Sequence, residues 1–259
     1  MSVRTKDDVV VIDVGNTSTS VGVFSRSRVV RRTALPTAET SPATVGRALR
    51  ELVGRTPPRG AVLGSVVPSV NRLWARGVHA VGPDIEMMLV RHRMDFGIPV
   101  TYPKPHTIGA DRLANACAAA HLFGTPVIVA DFGTAVTFDV VSASRGYIGG
   151  VIAPGLMLMF TYLAEKTALL PAIRPGHIGH KVGRSTEEAM QLGARWGYRG
   201  LVREILGELK KSLGRTRVKT CATGGFAEWV LKGSGLDIPV LPDLTLYGLG
   251  RIYMLNAKK

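Results

Sequence analysis

Two aspartates stand at the same point of the same short pattern. Asp13-Val14-Gly15-Asn16-Thr17 closes one apolar run, and Asp131-Phe132-Gly133-Thr134-Ala135 closes another 118 residues later (131 minus 13). A second β-rich stretch follows each. An acid, a glycine turn and hydroxyl residues between two strands make a hairpin whose backbone N–H groups and small side chains face an anion such as phosphate. A carboxylate at the head of that turn suits a hard cation held against phosphate oxygens, the Mg²⁺ chemistry of phosphoryl transfer. The same residues also fit a plain β-turn in which Asp13 accepts backbone N–H bonds. Repetition of the pattern in both halves favours a ligand.

Further residues could extend the site. Thr223-Gly224-Gly225 ends an apolar strand pattern and opens a helix, where free N–H groups and bare glycines suit a nucleotide. Gly109-Ala110-Asp111-Arg112 opens an alanine-rich helix. Asp111 is there either a first-turn helix acid or a base for a substrate hydroxyl, with Arg112 as partner for a carboxylate. Residue type leaves both readings open. His177 and His180 lie in a glycine-rich loop with no carboxylate at metal spacing, which fits a solvated or substrate-lining role better than zinc. Cys117 and Cys221 have no CxxC spacing, so neither a disulfide nor a zinc site is indicated; both read as buried thiols in a reducing compartment.

Alternating elements must position these groups. The pattern predicts strands over Val9–Val14, 20–25 and 28–35, a helix over Pro42–Val53, a strand over 61–67, a helix over 68–78 and a strand over 85–90. A proline-rich loop, 91–108, links this to a second series. That series runs as a helix over Ala110–Phe123, strands over 127–131, 136–141 and 147–152, and helices over 156–169 and Thr186–Ser212. It ends in a strand over 218–222, a short helix from 226 and a closing helix over 244–255. The order implies an α/β fold in two halves, 1–107 and 108–259.

With 259 residues, 46% apolar and 20% charged, the chain has the composition of an ordinary globular protein. The apolar tracts 113–130 and 151–164 are broken by His121, Gly124, Pro126, Pro154 and Gly155, which argues against a membrane span. The polar N-terminal stretch, with acids ahead of the first strand, lacks a signal-peptide pattern. A cytoplasmic location is expected. The net charge of +14 is scattered and has no interleaved aromatics, which argues against a dedicated nucleic-acid binder and fits a surface that attracts small anions.

In order along the chain stand Asp13-x-Gly-Asn-Thr17, Ser65-Val-Val-Pro68, Gly109-Ala-Asp-Arg112, Asp131-Phe-Gly-Thr134, Gly149-Gly150 with Pro154-Gly155, Thr223-Gly-Gly225 and Pro242-Asp-Leu-Thr-Leu246. This series resembles bacterial type III pantothenate kinase over residues 9–256. The resemblance implies a duplicated actin-like ATPase (ribonuclease H-like) fold, two α/β halves around a nucleotide cleft, working as a homodimer with sites at the subunit interface. It implies transfer of a phosphoryl group from ATP to pantothenate, assisted by Mg²⁺ and a monovalent cation, K⁺ or NH₄⁺. Carried onto this chain, Asp13, Val14, Gly15, Asn16, Thr17, Ser18, Thr19 and Ser20 form the first phosphate loop, with Asp13 holding Mg²⁺. Asp111 is the general base, Asp131 the monovalent-cation ligand, and Thr134, Gly224 and Gly225 contact ATP. Tyr102, Gly109, Ala110, Arg112 and Thr186 hold pantothenate, Thr186 reaching in from the neighbouring subunit. The chain departs from the family pattern at Ser18, at Ser20, at Pro103-Lys104 and at Arg184-Ser185. A superfamily kinase acting on another small hydroxy acid or sugar, and a non-catalytic nucleotide-binding regulator, are the alternative readings.

Overall fold

The computed structural model describes residues 8–54, 57–214 and 217–257; the N-terminal stretch assessed above for a signal peptide lies mostly outside them. Its strands are β1 (Val9–Val14), β2 (Ser18–Ser25), β3 (Arg28–Pro36), β4 (Gly60–Ser65), β5 (Met87–Leu89), β6 (Val127–Phe132), β7 (Ala135–Ser142), β8 (Gly146–Pro154) and β9 (Lys219–Thr223). Its helices are α1 (Pro42–Val53), α2 (Pro68–Val81), α3 (Ala110–Phe123), α4 (Leu156–Lys166), α5 (Thr186–Ser212), α6 (Ala227–Leu231) and α7 (Leu244–Asn256). They fall into two compact units, one of Met1–Gly124, Ser144–Ile148 and Asp243–Lys259, the other of Thr125–Ala143 and Gly149–Pro242.

The first unit is built on a sheet of order β3-β2-β1-β4-β5, with β1 antiparallel to β2 and parallel to β4. Side chains of a strand alternate between faces. Val10, Ile12 and Val14 therefore share one face, where they are buried with Val45 and Leu49 of α1 and Trp74 and Val78 of α2. Ser41 caps α1 by accepting the Thr44 N–H, Pro42 fills its first turn, and Gly54 ends it. The opposite face receives α3 and α7. Those two helices approach closely because the buried side of α3 is small: Ala110, Ala114, Ala116, Ala118 and Ala119 are all buried. Gly248 of α7 lies against α3 so tightly that a Cβ there would overlap the Ala114 carbonyl. Thr245 of α7 donates to Asn115 Oδ1 of α3 at 2.8 Å. This packing is why α3 and α7 group with the first sheet, although the sequence pattern places the change of half at 107/108.

The second unit repeats the plan. Its sheet has the order β8-β7-β6-β9, with β6 antiparallel to β7 and parallel to β9, matching β3-β2-β1-β4 strand for strand. Along α5, Arg195, Arg199 and Arg203 recur every four residues, one per turn on one face. Arg195 donates to the carbonyls of Gly176 and Ile178 and lies 5.3 Å from the Trp229 ring; Arg199 donates to Val230 and Lys232, and Arg203 to Ser234. Three guanidinium groups thus hold the loop before α5 and the carbonyls at the end of α6. Burial, and then the neighbouring Arg195 and Arg203, lower the pKa of Arg199 from its ordinary value.

The strand and helix boundaries follow the sequence pattern within a few residues. β5 is shorter than expected, since Ile85 is taken into a turn with Gly82. α4 ends at Lys166, and Thr167 turns the chain by bonding Leu163 O and the Leu170 N–H. Among the described residues no helix is long and apolar enough to cross a membrane. Cys117 and Cys221 are both free and buried, and burial pushes each thiol up to about 12. Both stay protonated at neutral pH.

Candidate functional site

In the first unit the functional side chains gather where β1 and β4 end. Asp13 precedes a four-residue turn, because Val14 pairs with Thr19 and the Gly15 N–H donates to Ser18 O at 3.1 Å. Asn16, Thr17 and Ser18 are exposed at its tip. Asp13 is half-buried and lies on the face away from α1 and α2, since its neighbours Ile12 and Val14 fill that core. Its parallel neighbour is Gly64, and a Cβ on Gly64 would face Ala110 and Leu249. β1 therefore presents Asp13 on the face that carries the start of α3.

At that start Gly109 is the N-cap and Asp111 is the second helical residue. Gly109 sits by Val66, in the turn that leaves β4, where the Val66 N–H donates to Val14 O and the Val67 N–H to Ser65 Oγ. The Asp111 carboxylate folds back over Gly109, and its Oδ1 accepts the Arg112 N–H at 2.8 Å. Asp111 and Arg112 are half-buried. The phosphate-type loop, the Ser65 turn and the Asp-Arg pair thus meet at the carboxyl ends of parallel strands, where open α/β sheets bind their ligands. Tyr102 belongs to the same unit. Its ring meets the fully buried Tyr147 edge-on at 6.3 Å, and the chain beside it pairs with residues 145–147.

In the second unit Asp131 precedes a tighter turn, in which Phe132 pairs with Val136 and the Gly133 N–H donates to Ala135 O. Thr134 is exposed at the tip. β9 lies parallel beside β6 and ends at Thr223, opposite Asp131, with Gly224-Gly225 in the turn that follows. Gly224 has φ +91°, a backbone state that favours glycine. A Cβ there would also lie 2.6 Å from Asp131 Oδ1, so the carboxylate of Asp131 is brought directly against this turn.

Thr186 is exposed in the first turn of α5. Ser185 caps the helix by accepting the Glu188 N–H, and Glu188 in turn accepts the Arg184 N–H at 2.7 Å and faces His180 at 3.3 Å. The Arg184 N–H, and then His180, hold the Glu188 carboxyl below its usual range.

Sequence reasoning passed over Thr37, which holds the first loop from behind. It also passed over the Thr245–Asn115 pair that fixes α3, and the arginines of α5. A signal for Thr37 did exist: Pro36-Thr37 lies 118 residues before Pro154-Gly155, the same interval as between the two aspartates.

A protein-family model described as type III pantothenate kinase matches residues 9–208. A type III pantothenate kinase from Akkermansia muciniphila is 44% identical over 243 residues, covering 92% of this chain and 95% of that protein. Among solved structures, a Baf family protein from Campylobacter jejuni superposes with a TM-score of 0.60 at 15% identity, over 95% of this chain and 97% of that one. An acetate kinase from Porphyromonas gingivalis gives a TM-score of 0.56 at 13% identity, over 96% and 99% of the two chains. The last two likenesses speak for the fold alone.

Proposed function

The chain belongs to the type III pantothenate kinase family, its reaction is the ATP-dependent phosphorylation of pantothenate that leads toward coenzyme A, and we propose that Asp111 is the base of that reaction. The observation that carries the assignment is the place of Asp111. It stands in the first turn of α3, beside the end of β4, on the face of the sheet to which β1 brings Asp13.

The Arg112 N–H fixes Oδ1, which orients the carboxylate and leaves Oδ2 as the atom to take the hydroxyl proton of pantothenate. As that oxygen forms its bond to the γ-phosphorus, the bond to the β–γ bridging oxygen breaks and ADP leaves. Such a transition state is loose, so position and charge supply most of the rate. Arg112 offers a forked donor for the pantothenate carboxylate. The donor set fits the cations that the family reading brings: Asp13 and the exposed loop supply hard oxygen ligands of the kind Mg²⁺ takes. Mg²⁺ would neutralise phosphate charge there. Asp131, against the Gly224 turn, is assigned the monovalent cation.

The direct test measures ADP release and identifies the product by mass, with K⁺ compared against Na⁺. Phosphopantothenate formed faster in K⁺ is the expected result. Asp131→Ala should remove the difference between the two salts, and an unchanged K⁺ response would place the cation elsewhere. ATP binding with no turnover on pantothenate would overturn pantothenate as the substrate, and with it the role given to Asp111.

We assign a homodimer as the working form, in the cytoplasm. Six large apolar side chains of the second unit are exposed on β8, α4, α5 and the α4–α5 loop: Ile152, Leu158, Tyr162, Leu169, Val182 and Trp196. A second copy is the proposed cover. Exposed Thr186 would then serve the neighbour's site. Mixed dimers of Asp111→Asn and Thr186→Ala subunits should regain part of the activity that each variant lacks alone. Verified mixed dimers without rescue would confine each site to one subunit.

A further inference from the structure

We infer that Thr37, relayed by Thr19, is a positioning residue for the ATP phosphates: it turns the carbonyls of the first loop inward so that its amides face the ligand. The inference rests on the kinase reading above. β3 runs beside β2 as far as Pro36, opposite Ser18, and the chain then bends into a short 3-10 turn, Thr37–Glu39. That bend puts Thr37 behind the Gly15–Ser18 loop, where it is buried at 6% exposure. Its hydroxyl donates to Gly15 O at 2.7 Å, and its backbone N–H donates to Thr17 O at 3.0 Å.

The proton direction in the remaining contact follows by elimination. A hydroxyl has one proton, and that of Thr37 is committed to Gly15 O. In the 2.9 Å contact between Thr19 Oγ1 and Thr37 Oγ1, Thr19 must therefore donate. The result is a relay, Thr19 to Thr37 to Gly15, in which each bond polarises the next. A trans peptide is planar, with C=O and the following N–H pointing opposite ways. With Gly15 C=O and Thr17 C=O facing Thr37, the N–H groups of Asn16 and Ser18 face away from it, toward the exposed side of the loop. A loop carbonyl turned outward would instead oppose a phosphate oxygen.

The second unit supports the same design at the matching position. Gly155, 118 residues after Thr37, lies so close behind the Gly133-Thr134 turn that a Cβ would overlap the Thr134 carbonyl oxygen. One loop is backed by a hydroxyl and the other by bare backbone.

The test uses the full chain and reads ATP binding by calorimetry with Mg²⁺, together with the KM for ATP and for pantothenate. Thr37→Val, which keeps the shape and loses the hydroxyl, should weaken ATP binding and raise its KM about tenfold, the scale of one lost hydrogen bond to a buried partner. The pantothenate KM should stay within about twofold on the same scale. Thr37→Ser should restore ATP binding. A folded Thr37→Val with unchanged ATP affinity, or one that merely melts earlier, overturns the inference. Should Thr37→Val fail to fold, Thr19→Val takes its place, with about a threefold weakening expected from loss of the relay alone; no change overturns the inference. A wild-type protein that binds no ATP would instead overturn the kinase reading.

Discussion

Asp111→Asn is expected to lower turnover on pantothenate by roughly 10²–10⁴-fold, the usual contribution of a positioned general base. The amide keeps the size of the carboxylate, and its oxygen can still accept the Arg112 N–H, so the turn at the head of α3 should survive. What it lacks is an atom that takes the hydroxyl proton. ATP binding should therefore persist, measured by calorimetry, while phosphopantothenate formation collapses in a single-turnover assay. Near-full turnover in Asp111→Asn would remove this residue as the base and return it to the role of a helix acid.

Gly248→Ala is expected to produce the largest loss of stability. The added methyl would overlap the backbone carbonyl of Ala114, and a carbonyl held inside a helix cannot swing aside as a side chain does. Overpacking of this kind costs about 3 kcal/mol. The effect should reach the chemistry as well, since α3 carries Asp111 and Arg112 at its start and is held to α7 by the Thr245–Asn115 bond. Thermal unfolding and kcat measured on the surviving fold check both parts. Gly193→Ala is the control: it is an exposed position of α5 with nothing within 4 Å of its Cβ position, so it should gain up to about 1 kcal/mol of helix propensity. Equal melting of the two variants would refute the close α3–α7 packing.

The sequence was informative where chemistry and period coincide. Asp13 and Asp131 announce themselves because a carboxylate ahead of a glycine turn interrupts an apolar strand, and α1, α3 and α5 because a cap or glycine marks their starts. The grouping of α3 and α7 with the first sheet was not legible. It depends on Gly248 meeting Ala114 across more than 130 residues of chain, a fit that no local period encodes. Thr37 was hidden for a similar reason. Its type is ordinary, and only the bend after Pro36 makes its hydroxyl part of the first loop. Arg195, Arg199 and Arg203 gave no signal of their own, because their partners are carbonyls of loops that the sequence leaves unplaced.

Those three arginines bear on how fast the enzyme meets its substrates. Carbonyl dipoles satisfy their donors but cancel none of their charge, so the guanidinium groups still count in full toward the excess of +14. ATP and pantothenate are both anions. A positive field raises their local concentration and guides their approach, over a range that salt cuts to about 8 Å at physiological ionic strength. Ionic strength therefore bears on encounter, and through it on kcat/KM, while turnover of the filled site is left to the loops.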